Sequence, residues 1–231
     1  MEQKINYQKK LDELLKGLEG LDEKPTLLLH ACCGPCSSYV LEYLSKYFQI
    51  TVLYYNPNIY PQAEYERRLA ELKKLYEVFP PVLNTGVKVV ECEYDPEQFY
   101  DAVGVRAEPE LATEPEKGER CRRCYKLRLE RAAAYAAQNH FDYFCTSLSI
   151  SPFKDAVKIN ELGAEIEGQM LDNPATGTSK KSPKWLFSDF KKRGGFKRSL
   201  ELSEEYGMYR QTYCGCLYSM NNSISSKASE Q

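Results

Sequence analysis

The chain has 231 residues, 28% of them charged and 42% hydrophobic, with a formal net charge of −2 and nine cysteines. That length suffices for one α/β domain with additions, and such a domain builds its core without disulfides. No apolar run approaches the roughly 20 residues of a bilayer-spanning helix, and the charged start (Glu2, Lys4, Lys9, Lys10) resembles no leader. We therefore expect a cytoplasmic protein in a reducing compartment that uses its thiols for metal or redox chemistry.

Leu11, Leu14, Leu15 and Leu18 recur at helical spacing and predict a leading helix over 7–18. A strand follows over 26–31. Pro35 suits a first helical turn, and Val40, Leu41, Leu44 and Phe48 carry that helix to about 48. A second strand over 50–55 closes on Asn56-Pro57-Asn58, and Pro61 opens a charged helix with Tyr65, Leu69, Leu72 and Leu75 on one face. The reading continues with a strand over 87–94, a short helix after Asp95-Pro96, a polar stretch over 104–119, a helix over 122–139 and a strand over 141–150 ending in hydroxyls. Beyond Pro152 come a helix over 156–170, a basic aromatic stretch and a final helix over 200–206. Strands alternating with helices predict a Rossmann-like α/β fold: a parallel sheet with helices on both faces, its ligands at the carboxyl ends of the strands. We expect this core over 1–155, a mainly helical and basic C-terminal extension over 156–220, and a disordered tail over 221–231.

Three clusters hold seven of the nine cysteines: Cys32-Cys33 with Cys36, Cys121 with Cys124, and Cys214 with Cys216. The first stands at a strand-to-helix junction, where N–H groups and the positive helix end favour thiolate. Cys121 and Cys124 open a later helix. Two such groups in one chain offer four thiolates for zinc or an iron–sulfur cluster. Cys33-Gly34-Pro35-Cys36 also has thioredoxin-like spacing, which the additional thiols and the length of the chain disfavour. Cys214-Gly215-Cys216 is too close for joint chelation on a helix but allows a strained, easily reduced disulfide, and hence an electron relay. Cys92 and Cys145 read as small core residues.

Between residues 180 and 198 stand Lys180, Lys181, Lys184, Lys191, Lys192, Arg193, Lys197 and Arg198, opposed only by Asp189 and interleaved with Trp185, Phe187, Phe190 and Phe196. This composition suits a phosphate-neutralising, base-covering surface, or an amphipathic segment whose aromatics pack inward.

His30-Ala31-Cys32-Cys33-Gly34-Pro35-Cys36, Tyr54-Tyr55-Asn56-Pro57-Asn58-Ile59, the pair Cys121 and Cys124, Thr146-Ser147-Leu148 through Ser151-Pro152-Phe153-Lys154, the basic region from Lys191-Lys192 to Tyr209-Arg210, and Tyr213-Cys214-Gly215-Cys216 together resemble the epoxyqueuosine reductases of the QueH family. The resemblance spans nearly all of the chain after the leading helix. It implies a tRNA-modifying oxidoreductase that removes the epoxide oxygen of epoxyqueuosine at the wobble position of the anticodon stem-loop, fed by an unidentified electron donor. It further implies that Cys32, Cys33, Cys121 and Cys124 bind a [4Fe-4S] cluster, that Cys214 and Cys216 form a redox-active disulfide, and that Cys36 is a ligand for one additional iron. The competing readings are an ATP-dependent, iron–sulfur tRNA-thiolating enzyme and a zinc-stapled RNA-binding module without catalysis. The first wants a glycine-rich loop where this chain has Cys-Cys-Gly-Pro-Cys.

Overall fold

A computed structural model describes residues 5–172 and 182–221. Five strands, β1 (Thr26–His30), β2 (Gln49–Tyr54), β3 (Lys88–Glu91), β4 (Tyr143–Thr146) and β5 (Lys184–Trp185), form one all-parallel sheet in the order β3-β2-β1-β4-β5. Leu27, Leu28 and Leu29 in β1 are wholly buried, as expected for a central parallel strand covered on both faces.

The helices divide into two packed sets. The first holds α2 (Gly34–Leu44), α3 (Gln62–Tyr76), the short α4 (Pro80–Leu83) and α8 (Gly195–Glu205), which pack around α2. The second holds α5 (Pro96–Val103), α6 (Glu119–Gln138) and α7 (Ala156–Asp172), with α6 between the other two and against β1 and β4. Right-handed crossovers running outward in both directions from β1 and β4 require such a division. The leading helix α1 (Tyr7–Leu18) is capped by Asn6, whose side chain accepts from the Lys9 N–H at 3.0 Å, and buries Leu11 and Leu15.

Several boundaries move for physical reasons. The strand expected over 141–150 stops at Thr146, because its hydroxyl accepts the Leu148 N–H and turns 147–150 into a 3₁₀ helix. The last helix begins at Gly195, not 200: a Cβ there would collide with the Phe190 carbonyl, so the glycine that reads as a breaker is a packing requirement. The basic aromatic stretch contains the fifth strand, held by Asn160 on α7, which accepts from Trp185 Nε1 at 3.2 Å and the Ser188 N–H at 3.0 Å and donates to Ser188 O at 2.8 Å. Trp185 and Phe190 are core residues, and Arg198 is committed to Glu42 on α2 at 2.7 and 3.0 Å. Half of that stretch is thus an inward-packed segment. Lys180, Lys181 and residues 222–231 of the expected tail lie outside the described residues.

Candidate active site

The strand order reverses between β1 and β4, so their carboxyl ends open the crevice where open parallel sheets place ligands. Cys33, in extended backbone, caps α2 and Cys36 lies on its first turn. The sulfurs of Cys32, Cys33 and Cys36 all lie within 4.8 Å of one another, with Cys32 and Cys33 at 3.8 Å. Charge settles unevenly among them. Hydrogen bonds from the Cys33 and Cys36 thiols hold Cys32 well below the usual thiol range, with Arg128 helping, and the same bonds push Cys33 up to about 12 and Cys36 upward. Gln211 Nε2 adds a donor at 3.2 Å from Cys33 Sγ.

Behind the triad lies a wholly buried polar network. The Tyr55 carbonyl can only accept and so takes the His30 Nε2–H at 3.0 Å, which leaves Nδ1 to accept from the Thr146 hydroxyl at 2.8 Å while that hydroxyl's oxygen accepts the Leu148 N–H. Burial, and Arg128 Nε 3.3 Å from that ring, lower the His30 pKa to about 3, so the imidazole is neutral. Arg128, 2% exposed, donates to Asn56 Oδ1 at 2.6 Å, and Asn56 donates to Ala31 O at 2.9 Å. The guanidinium also answers the Cys124, Cys32 and Cys214 sulfurs.

Cys121 and Cys124, both buried, occupy the first two turns of α6, and burial raises each thiol, Cys124 to about 11. Among the described residues, Cys32, Cys33 and Cys36 are the only group of three or more ligating side chains drawn within 4.8 Å, so the structure does not collapse Cys121 and Cys124 onto them.

The third group comes from the segment after α8. Arg68 of α3, 1% exposed and paired with Glu64 at 2.7 Å, donates to Cys214 O at 3.2 Å, while the Tyr60 N–H donates to Gly215 O at 2.7 Å. Gly215 takes φ +127°, a region L side chains rarely adopt, and this sets the turn between the two thiols. Both are free cysteines in this structure. A hydrogen bond from Cys216 and the Lys154 ammonium, 2.6 Å from Sγ, depress Cys214 well below its ordinary range, and Cys216 rises correspondingly. Lys154 is 7% exposed; burial opposes its charge, but Cys214, Tyr125 and Glu116 outweigh that and keep it protonated.

Cys32, Cys36 and Cys214 share a pocket of about 360 Å³ with Arg128, Lys154 and Glu116, under a rim that includes Phe153 and Phe196. Burial raises the Glu116 carboxyl. One pocket therefore presents thiolates, a thiol, two cations and a carboxyl whose pKa burial raises. Sequence reading found every one of these cysteines, but it missed Arg128, Lys154, Glu116 and Gln211 as parts of a site. Arg128 carried a usable signal, since it lies four and seven residues after Cys124 and Cys121, on the same helical face.

A buried pocket of soft sulfur ligands and cations at a sheet switch point defines an α/β protein of redox or metal chemistry. The profile of the family described as epoxyqueuosine reductase QueH matches residues 27–222, and the chain belongs to that family. It is 39% identical over 216 residues to the epoxyqueuosine reductase QueH of Staphylococcus epidermidis, covering 94% of this chain and 85% of that one. The QueH protein of Acinetobacter baylyi is 36% identical (87% and 83% covered), and that of Thermotoga maritima 32% (84% and 90%). Among solved structures, the chain has a looser likeness to the U34-tRNA thiolase NcsA from Methanococcus maripaludis with its [4Fe-4S] cluster, at TM-score 0.46 and 15% identity over 96% of this chain and 72% of that one.

Proposed function

We propose that this oxidoreductase removes the epoxide oxygen of epoxyqueuosine at the wobble position of tRNA in the pocket shared by Cys32, Cys36 and Cys214. The observation that carries this reading is that convergence of separate thiol groups on one 360 Å³ cavity with two buried cations. The overall change, epoxide plus two electrons and two protons to alkene plus water, demands electrons, protons and stabilisation of a leaving oxygen.

The donor set suits an iron–sulfur cluster held by Cys32, Cys33, Cys121 and Cys124: all four thiols are buried and Cys32 is disposed to ionise. Two buried side-chain atoms without protein partners, Tyr125 Oη and Gln211 Oε1, belong to residues that face these sulfurs. When bound, such a cluster supplies one-electron transfers, and one additional iron at Cys36 would supply Lewis acidity. Cys214 thiolate and Cys216 thiol give up two electrons and one proton on forming their disulfide. Glu116, its carboxyl raised by burial, stands in the pocket beside Lys154, Lys154 keeps Cys214 ionised, and the neutral His30 orients the backbone of 55 against the strand ends. The cytoplasm, where thiols stay reduced, is the compartment that fits this chemistry, with an electron donor restoring the dithiol.

The test is anaerobic reconstitution with iron and sulfide, followed by mass analysis of nucleosides from tRNA bearing epoxyqueuosine. Conversion to queuosine by a brown protein, with colour and turnover lost in Cys33→Ser, is expected. A colourless preparation that binds zinc alone and turns nothing over overturns the proposal.

A further inference from the structure

Beside the thiol pocket runs a wider groove of about 1060 Å³, walled by α1, the turn at 191–193 and residues 152–157. Lys154 lines both cavities, so the segment 151–154 is their common wall. The groove holds four acids, and each is already engaged. Asp12 pairs with Arg193 at 2.5 Å, Glu13 with Lys9 at 3.8 Å and Asp189 with Lys191 at 2.6 Å, while Asp155 accepts the Val157 and Lys158 N–H groups at the start of α7. Three more lysines line it, Lys16, Lys117 and Lys192, all exposed and none in a salt bridge among the described residues. At the rim between groove and pocket stands Phe153, 65% exposed, the most exposed large hydrophobic side chain among the described residues, its N–H tied to Ser151 Oγ at 3.3 Å.

We infer that this groove carries backbone phosphates of the anticodon arm, and that Phe153 stacks a loop base beside the nucleoside that enters the thiol pocket. The inference rests on the tRNA reading above and adds the path the RNA takes. Unpaired cations converging on one concave face are the electrostatic footprint of a phosphate track. An aromatic ring left in water at the mouth of a catalytic pocket has the geometry of a stacking platform for a splayed base, the usual way single-stranded loops are held. The groove leads to the pocket through Lys154, so an RNA lying in it delivers its loop to Cys32, Cys36 and Cys214.

The experiment measures binding of a synthetic, unmodified anticodon stem-loop RNA across a salt series. A variant combining Lys16→Gln, Lys117→Gln and Lys192→Gln should flatten the slope of log affinity against log salt by about 2 to 3. A control combining Lys46→Gln, Lys74→Gln and Lys88→Gln makes the same charge change on exposed lysines away from the groove and should leave the slope near wild type. Phe153→Ala should weaken binding about five- to 150-fold with the wild-type slope, and Phe153→Tyr should restore it. Equal slopes in groove and control variants overturn the phosphate track, and full affinity in Phe153→Ala overturns the stacking. Turnover of epoxyqueuosine by wild-type protein on the same stem-loop is scored separately, so the loss of the path leaves the proposed reaction standing, and loss of turnover with intact slopes does the reverse.

Discussion

The starts of α2 and α6 both carry buried cysteines that Arg128 answers, and they are built in opposite ways. At α2, three sulfurs lie within mutual contact and share protons so that one, Cys32, carries charge. At α6, Cys121 and Cys124 sit three residues apart on a single helix face, and burial holds each as a neutral thiol. The first group already holds one thiolate, Cys32, beside the protonated thiols of Cys33 and Cys36; the second holds none until something takes its protons. Loading the proposed cluster on Cys32, Cys33, Cys121 and Cys124 should therefore take protons from Cys33 on the α2 side and from both thiols on the α6 side.

The largest expected effect breaks that comparison directly. Cys124→Ser should abolish the iron–sulfur absorbance and turnover, whereas Cys36→Ser, although it removes a member of the preformed triad, should retain the cluster and lose activity alone. Iron and sulfide analysis beside the visible spectrum decides the matter. A Cys36→Ser protein without cluster would make the triad, not the pair on α6, the main ligand set.

Next in size is the residue that serves both groups. Arg128 faces Cys32 and Cys124 and donates to Asn56, so Arg128→Met leaves a buried acceptor unpaired and a buried thiolate uncompensated. We expect a loss of about 3 kcal/mol, from the usual cost of breaking a buried charged pair, read from urea unfolding of the metal-free protein under anaerobic conditions. A loss below about 1 kcal/mol would mean that the two helix starts are independent.

The sheet and its ligand edge were legible because apolar runs of strand length are bounded by caps and prolines, as at 26–30 and 49–54. The cysteines were legible because thiols at strand ends and helix starts are rare. What the sequence hid were long-range satisfactions of charge. Lys154 is buried against a sulfur 60 residues away, and Arg68 clamps a carbonyl 146 residues away. No local pattern encodes either partner. The basic stretch left two readings open, and composition could not tell that Trp185 and Phe190 face the core while Lys192 faces a groove.

A smaller effect sharpens the contrast with the third thiol group. Cys216 is the larger cause of the depressed Cys214 pKa and Lys154 the next favourable one. With that pKa depressed, Cys214 is thiolate at neutral pH, and its alkylation rate should be flat from about pH 7 to 9. Lys154→Met raises the pKa, so the rate at neutral pH should fall about tenfold and climb with pH toward the ordinary thiol value near ~8.5. Cys216→Ala, which removes the larger contribution, should fall further. Mass analysis of the Cys214 peptide after timed alkylation separates these outcomes, and a flat profile in both variants would place the charge elsewhere.

The smallest effect concerns the backbone between those thiols. Gly215 (φ +127°) and Gly207 (φ +56°) both have positive φ, but they differ in surroundings. A Cβ at Gly207 meets nothing within 4 Å, so Gly207→Ala should cost only the left-handed penalty of about 1 kcal/mol. A Cβ at Gly215 would come within 3.1 Å of Arg68 Nη1 and 3.2 Å of Ile59, and the φ lies outside the left-handed helical well. Gly215→Ala should cost about 2 kcal/mol by the same urea measurement. The two substitutions share a chemical change, so their difference reports how firmly Arg68 and Tyr60 hold the segment that carries Cys214. Equal costs would mean that the segment yields, and that the spacing of its thiols is set by the turn alone and not by the clamp.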